Sequence, residues 1–391
     1  MANLKSEGLK LFLFLISLTV CIIGILVFYN VTNVTISWSN INIKNRSNFT
    51  ISSPRLPINA QLSTENIRKF AVFASSIHSK FRSYIFYTPI TAAAWQRIGY
   101  EVIVIFVGDF TNNSNPTLSL QLNLTRSLLE RLGVHVIDFQ CDKSYSIKVS
   151  QLVRMFTGFL SDTIVKDTDY IITTDSDIIP LRKHDYTIKS NTNGFIYNAF
   201  CCGSFKRRQK TYQMYPMSHI CLSKQVWRNL FLESNQRNEL LNSNLSSSNA
   251  ILLSDKAPFS FDTISLYVRQ EFGQLYDSNM AKGDAAWYMD QVFSSMLLNN
   301  YCEKHRNFTI DKRDRTRFRL DPGFSPHAWQ LDKLKIYGDA HLIHDPIFDP
   351  YHYAMFKNLL IFLFNSSLAN DFDFYYKQFV LTYYPHKPKT H

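Results

Sequence analysis

Glycine, cysteine and charged residues are all scarce in this chain of 391 residues, which has 12 glycines, six cysteines and 19% charged residues. So few glycines argue against glycine-rich repeats, and no other internal repeat is apparent. The cysteines form no Cys-x-x-Cys pair, which argues against a thiolate zinc site and a thioredoxin-like redox role. Because 46% of the residues are hydrophobic, the composition also excludes a disordered chain.

Aromatic and basic residues are plentiful by comparison. The 31 phenylalanines and 21 tyrosines are enough to fill a sizeable core, and the length allows one large domain or two ordinary ones. The formal net charge is +11, and the basic residues are concentrated in two runs, Lys206–Lys210 and Lys312–Arg319. These runs predict either solvated loops or contacts with a diphosphate or an anionic acceptor.

The only charge-free apolar run long enough to approach a membrane span lies near the N-terminus, from Leu11 to Tyr29. At a helical rise of ~1.5 Å per residue, it nearly spans a hydrocarbon core of ~30 Å. Lys5 and Lys10 precede the run, whereas Asn30–Ile43 has no Lys or Arg, so the N-terminus is predicted to face the cytosol. A cleaved signal peptide is the alternative, but no small-x-small cleavage site follows the run. We therefore predict an uncleaved anchor in a type II orientation.

Glycosylation sequons agree with a luminal body. Nine Asn-x-Ser/Thr triplets occur, beginning at Asn30, Asn33, Asn45, Asn48, Asn112, Asn123, Asn244, Asn307 and Asn365. Five cysteines lie outside the anchor, so at most two disulfides and one free thiol are expected in the luminal chain, and the pairing stays open. A luminal body also makes nucleic acid an unexpected partner.

Composition divides the chain into four predicted segments. These are a cytosolic tail over 1–10, a transmembrane signal anchor over 11–29, a polar luminal stem over 30–57 and a luminal domain over 58–391. The stem is rich in Asn, Ser and Thr and contains Pro54 and Pro57. Within the luminal domain, we expect a nucleotide-binding half over 58–180 and an acceptor half over 181–391.

Apolar runs of strand length alternate with helical patterns in the first half of the luminal domain. The predicted strands are Lys69–Ser75, Glu101–Val107, Val134–Phe139 and Asp169–Thr174. The helices predicted between them are Thr91–Gly99, Thr125–Leu132 and a long one, Ser146–Val165. This alternation predicts an α/β fold with a mostly parallel sheet covered by helices on both faces. Ligands bind such sheets at the carboxyl ends of the strands.

Two carboxylates follow the fourth predicted strand directly, in the sequence Asp175-Ser176-Asp177. In extended chain, residues i and i+2 point the same way, so both carboxylates can address one divalent cation. Mn²⁺ and Mg²⁺ prefer oxygen ligands and commonly bridge protein carboxylates to substrate phosphates. The pair therefore predicts a metal site that holds a diphosphate.

With a short tail, one anchor, a stem and an α/β body whose fourth strand ends in Asp-x-Asp, the chain resembles Golgi-type glycosyltransferases of the GT-A fold superfamily. The resemblance extends over about Lys69 to Asp345 and is carried by Lys69–Ser75, Gly99–Asp109, Asp169–Pro180 and Gly283–Gln291. It implies a nucleotide-sugar donor such as a UDP- or GDP-sugar, Mn²⁺ or Mg²⁺ as cofactor, and a glycan, protein or lipid acceptor. It also implies a Golgi or endoplasmic reticulum membrane location.

The resemblance assigns roles on the donor side. It puts Asp175 and Asp177 at the metal–diphosphate site, with Asp177 as the more direct metal ligand. In that fold the nucleoside binds where the first strand ends, which here is Phe73, Ala74 and Ser75. Arg154, on the long predicted helix, either points toward the donor or is a solvated surface residue.

Two further candidates lie in the second half. Trp287 and Asp290 are spaced to share one face of a predicted helix, Asp284–Leu298. In comparable enzymes an acidic residue here contacts acceptor or donor hydroxyls, and in inverting enzymes it can serve as the catalytic base. The alternative is a buried Trp beside a surface Asp. The resemblance also makes His341 a candidate third metal ligand, with a structural histidine as the alternative.

These residues predict a metal-dependent glycosyltransferase, in which an acceptor hydroxyl attacks the anomeric carbon and a nucleoside diphosphate leaves. Two other functions stay open on the same residues. One is a catalytically inactive glycan-binding or scaffolding protein built on a transferase fold. The other is a nucleotide-sugar hydrolase, which would share the donor site but use water as the acceptor.

Overall fold

The computed structural model describes residues 67–383, apart from residues 79, 81, 112–114, 243–256, 281–284, 316 and 324. The predicted tail, anchor and stem lie outside the described residues. Within the described ranges, no helix is both long and apolar enough to cross a membrane.

Helices and strands alternate along the first half of the described chain, and shorter strands follow. The strands are β1 (Lys69–Ser76), β2 (Glu101–Gly108), β3 (His135–Gln140), β4 (Tyr170–Thr173), β5 (Ile178–Pro180), β6 (Gly194–Ile196), β7 (Ser204–Arg207), β8 (Lys210–Gln213), β9 (Ile220–Ser223), β10 (Asp311–Lys312), β11 (Phe318–Leu320) and β12 (Tyr337–His341). The α-helices are α1 (Arg82–Arg97), α2 (Pro116–Arg131), α3 (Ser146–Leu152), α4 (Lys224–Asn242), α5 (Phe261–Phe272), α6 (Gln274–Asp277), α7 (Met289–Lys304), α8 (Leu331–Leu334), α9 (Pro350–Leu363) and α10 (Ser366–Tyr383).

The main sheet has seven strands in the order β10-β6-β9-β4-β1-β2-β3. β1 pairs in parallel with both β2 and β4, and β3 continues the parallel run beside β2. Only β9 runs against its neighbours in this sheet, since it pairs antiparallel with β4 and β6. The predicted α/β class, with a mostly parallel sheet flanked by helices, is therefore confirmed.

Burial on both faces explains why the strands are continuously apolar. Along β1, Phe70 and Val72 belong to the core on one face, and Ala71 and Phe73 to the core on the other. A strand buried on both sides has no solvent-facing position for a polar residue. Apolar side chains therefore pack against helices on both faces of the sheet.

A second sheet, of three strands in the order β11-β12-β5, leads away from Asp175-Ser176-Asp177. β5 begins immediately after Asp177 and pairs antiparallel with β12, which places His341 opposite Ile178. This pairing brings a late segment of the chain to the carboxyl end of β4. The antiparallel hairpin β7–β8 forms a separate pair of strands.

The single long helix predicted over Ser146–Val165 is wrong. α3 ends at Leu152, and a 3-10 helix, Val153–Phe159, continues the chain. An added Cβ at Gly158 would lie 2.3 Å from the backbone nitrogen of Arg228 in α4, so the two backbones approach closely there.

The described cysteines form one disulfide, between the neighbours Cys201 and Cys202 in the turn after β6. Cys141 and Cys221 are buried free thiols, and Cys302 is a partly buried one. Sequence spacing left the pairing open because nothing in it favours a bond between adjacent cysteines.

Candidate functional site

The Asp175-Ser176-Asp177 segment is held at the carboxyl edge of the main sheet by three hydrogen bonds from other parts of the chain. The backbone amide of Thr174 donates to the carbonyl of Val72 in β1 at 2.9 Å. The hydroxyl of Thr91 in α1 donates to the Ser176 carbonyl at 2.6 Å, and the amide of Leu342 donates to the Asp177 carbonyl at 2.8 Å. The backbone that carries both carboxylates is therefore held by β1, α1 and the residue that follows β12.

Arg154 is buried and joins two of the predicted site residues. Its Nη1 donates to the Thr174 carbonyl at 2.7 Å and to an oxygen of Asp175. Its Nη2 donates to Oδ2 of Asp290 at 2.8 Å. Only 4% of Arg154 is exposed, so it is not a solvated surface residue. The 3-10 helix thus connects the end of β4 to the first turn of α7.

One guanidinium in this group faces two carboxylates, and Asp290 is the buried one. Burial raises the pKa of Asp290 to about 6, against the attraction of Arg154. Burial alone would lower the pKa of Arg154, but Asp175 and Asp290 together raise it. A carboxyl group with a pKa near neutrality has the property expected of a group that exchanges a proton during catalysis.

A second group of charged side chains surrounds Asp177. Its Oδ2 lies 3.2 Å from Nε2 of His341, whose Nδ1 lies 3.4 Å from Oδ1 of Asp321. Arg319 Nε donates to the same Asp321 oxygen at 2.7 Å. Asp177 is 4% exposed, whereas about a third of the His341 side chain reaches solvent. The carboxylate is thus deep and the imidazole lies nearer the opening.

The pKa shifts of Asp177 and His341 describe an ion pair. Burial opposes ionisation of Asp177, but the hydrogen bond from His341 lowers its pKa overall. Burial would lower the pKa of His341, yet the hydrogen bonds to Asp177 and Asp321 raise it to about 9. At neutral pH the imidazolium therefore neutralises Asp177.

Two side-chain atoms, Asp177 Oδ2 and His341 Nε2, are spaced to bind one divalent cation. Two ligands that each lie ~2.1 Å from one cation, at about a right angle, are ~3 Å apart, close to the separation of Asp177 Oδ2 and His341 Nε2. His341 would have to lose its proton to act as a ligand. Within the described ranges, no three His, Cys, Asp or Glu side chains are grouped to hold a metal. Further ligands would therefore come from water or from substrate oxygens, as is usual for Mg²⁺.

Two hydroxyls at the strand ends are buried without a hydrogen-bond partner. They are Oγ of Ser75 at the end of β1 and Oγ1 of Thr174 after β4. An unsatisfied buried hydroxyl costs about 1–3 kcal/mol, so such groups point to a missing partner such as water or a ligand. Phe73 is fully buried in the core, which leaves only its backbone for ligand contact, whereas Ala74 is partly exposed.

Trp287 does not share a helix face with Asp290. α7 begins at Met289, and Trp287 lies half-buried in the preceding turn. Asp290 lies in the first turn of this helix, and its Oδ1 accepts a hydrogen bond from the Gln291 amide at 2.8 Å. The position of Asp284, the predicted start of this helix, lies outside the described residues.

No protein-family model matches this sequence, and no curated protein matches it. The predicted residues Arg154, Asp175 and Asp290 meet in one group, and Asp177 and His341 meet in another.

Sequence reasoning missed the residues that hold these groups in place. Thr91 and Asp321 carry no sequence motif that would have marked them. Arg319 lies in the basic run Lys312–Arg319, where the expected alternatives were solvated loops or contacts with anions. In the structure this run is mixed, since Arg313 donates to the Asp185 carbonyl at 2.7 Å, whereas Lys312 and Arg317 are exposed.

Proposed function

We propose that this chain is a metal-dependent glycosyltransferase of the GT-A type that moves a sugar from a nucleotide diphosphate to an acceptor hydroxyl. One observation carries the proposal: buried Arg154 ties the first carboxylate of Asp175-Ser176-Asp177 to Asp290 at the carboxyl edge of the sheet. A surface Asp-x-Asp turn would need no such internal cation. The proposal includes a type II Golgi or endoplasmic reticulum membrane protein, following the predicted anchor.

On this proposal, Asp177 and His341 hold Mn²⁺ or Mg²⁺, and Asp175 lies beside them. When bound, the metal supplies positive charge to the diphosphate leaving group. Arg154 keeps Asp175 in position and holds it beside Asp290. Ser75 and Thr174 offer unpaired hydroxyls to the nucleotide.

Asp290 is the proposed acid or base on the acceptor side. Its Oδ2 is held by Arg154, which fixes the orientation of the carboxylate, and burial brings its pKa to about 6. An ionised carboxylate in that position can accept the proton of an acceptor hydroxyl as it attacks the anomeric carbon. Trp287, in the preceding turn, is proposed to contact the acceptor.

The test is a screen of UDP- and GDP-sugars with the full chain in detergent, with release of nucleoside diphosphate as the readout. We expect release from one donor in Mn²⁺, and its loss in EDTA and in Asp177→Ala. The matched control is Asp371→Ala, a carboxylate that is about half exposed on α10. Release that needs a glycan acceptor supports a transferase, and equal release in water alone supports the hydrolase. Absence of release from every donor would contradict both enzyme functions.

A further inference from the structure

An exposed turn follows β6 at the same edge of the sheet as Asp175. β4 and β6 both pair antiparallel with β9, so they run in the same direction. Ile172 of β4 and Phe195 of β6 pair with the same residue, Cys221. Asp175 and Asn198 each lie three residues beyond these paired positions, just past the ends of β4 and β6. They are therefore at the same level at the edge of the sheet. β4 and β6 are separated by one strand, a distance of about 10 Å.

This turn, Asn198–Gly203, presents apolar groups to solvent. Phe200 is 55% exposed, although its neighbour Ala199 is fully buried. The two residues after Phe200 are Cys201 and Cys202, which are joined by the disulfide. A large aromatic ring and a disulfide thus lie together on the surface, beside an edge that carries the proposed donor site.

The backbone of the turn is fixed at both ends. At its start, the amide of Tyr197 donates to the His219 carbonyl at 3.1 Å, and the amide of Ala199 donates to the Arg313 carbonyl at 2.8 Å. At its end, the carbonyl of Gly203 accepts from the amide of Met214 at 2.9 Å. The exposed ring is therefore carried by a backbone that other elements hold in position.

The conformation of Asn198 is a further sign of constraint. Its φ of 58° lies in the left-handed region, which is uncommon outside glycine and is kept only where the surroundings enforce it. The disulfide between adjacent residues closes a small ring, which limits the turn further. An exposed ring on a preorganised turn loses little conformational entropy when a ligand binds.

We propose that Phe200, with the adjoining disulfide, is the surface on which a sugar ring of the acceptor packs. This inference rests on the proposed function and specifies its acceptor: a glycan or glycoside whose pyranose ring has an apolar C–H face, rather than a protein hydroxyl. An aromatic ring offers such a face a large apolar area at low entropic cost. The level shared with Asp175 places this surface at the same edge of the sheet as the proposed donor site.

The test compares acceptor KM and donor KM in the full chain. The acceptors are the p-nitrophenyl glycosides of β-galactose, β-N-acetylglucosamine and α-mannose. In Phe200→Ala we expect acceptor KM to rise on the order of tenfold, with donor KM within about twofold of the wild type. Phe200→Trp should retain the wild-type acceptor KM to within about threefold, because it keeps an aromatic face. The control is Phe374→Ala, which removes a ring that is 63% exposed on α10 and should change neither constant.

The disulfide gives a second variant. Cys201→Ser/Cys202→Ser keeps the ring but frees the turn, and we expect acceptor KM to rise while donor KM stays constant. An acceptor KM that is unchanged in Phe200→Ala would overturn the inference and leave the donor site intact. Donor turnover that uses none of the three glycosides would overturn it as well. Failure of the wild type to release nucleoside diphosphate from any donor would instead contradict the proposed function itself.

Discussion

Arg154 and Asp290 lie 136 positions apart in the chain, yet Arg154 Nη2 donates a 2.8 Å hydrogen bond to Asp290 Oδ2 in a buried site. The same guanidinium holds Asp175, so it links the end of β4 to the start of α7. The two carboxylates offset the cost of burying the Arg154 charge, and Arg154 is the cation that pairs with both carboxylates. This dependence makes the group sensitive to single substitutions.

Replacement of Arg154 by Met should destabilise the fold by about 3–5 kcal/mol, because it leaves Asp290 buried without a counter-charge. The free energy of unfolding from urea denaturation measures this loss. Arg131→Met is the control, since Arg131 pairs with Asp371 at the surface and exposed pairs contribute less than about 1 kcal/mol. Equal losses in the two variants would show that the Arg154 pairs are not buried as described.

His341→Ala should weaken Mn²⁺ binding, since the imidazole is the proposed neighbour of Asp177 on the metal. The concentration of Mn²⁺ that gives half-maximal nucleotide binding should rise by at least about tenfold. His352→Ala is a matched control, because His352 also pairs with an aspartate and is exposed to a similar extent. Equal Mn²⁺ requirements in the two variants would remove His341 from the metal site.

Asp339 should make the stability of the fold depend on pH. Burial raises its pKa to about 6, although Arg315 Nη2 lies 3.7 Å away and opposes the shift. A raised pKa means that the folded state binds the proton more tightly than the unfolded state does. Between about pH 4 and 6, a rise in pH therefore removes stability, in total about 2–3 kcal/mol at 1.36 kcal/mol per pKa unit.

Asp339→Asn tests this sign. The free energy of unfolding of the variant, measured relative to the wild type, should increase from pH 4 to pH 6.5 and then level off. Asp371→Asn, at an exposed position, is the control and should show no such rise. A difference that falls with pH would mean that Asp339 is stabilised as an anion by Arg315.

Gly158 should be intolerant of any side chain. An added Cβ would lie 2.3 Å from the backbone nitrogen of Arg228, so Gly158→Ala should separate the 3-10 helix from α4 at a cost of about 1–3 kcal/mol or more. At Gly323 an added Cβ would meet no atom within 4 Å, which makes Gly323→Ala a matched control. Thermal unfolding of the two variants measures the difference, and similar melting temperatures would contradict the close approach.

The parallel strands were predictable because each is a short, continuous apolar run of strand length between helical patterns. β1 and β2 begin and end within one residue of their predicted limits. Helix limits were less predictable. α1 begins at Arg82 rather than Thr91 because its first turns are buried by tertiary contacts and carry no amphipathic pattern.

The sequence marks several residues of the candidate site, but it does not predict the hydrogen bonds that join them. Asp175 and Asp177 are marked by their place after a strand, and Asp290 by its spacing from Trp287 in a predicted helix. The bonds from Arg154 to Asp175 and Asp290 depend on the 3-10 helix after α3, and local propensity alone does not define that helix. The apolar sequence Gly194–Phe200 predicts a strand, but β6 ends at Ile196, and tertiary contacts hold the Asn198–Gly203 turn that follows.

The most direct test of a metal-dependent donor site is calorimetric titration of the full chain in detergent with UDP and with GDP, in Mn²⁺ and in EDTA. One nucleotide should bind in Mn²⁺ and not in EDTA. That binding should be lost in Asp177→Ala and retained in Asp371→Ala. Absence of binding by either nucleotide, or binding that persists in EDTA and in Asp177→Ala, would contradict the proposed site.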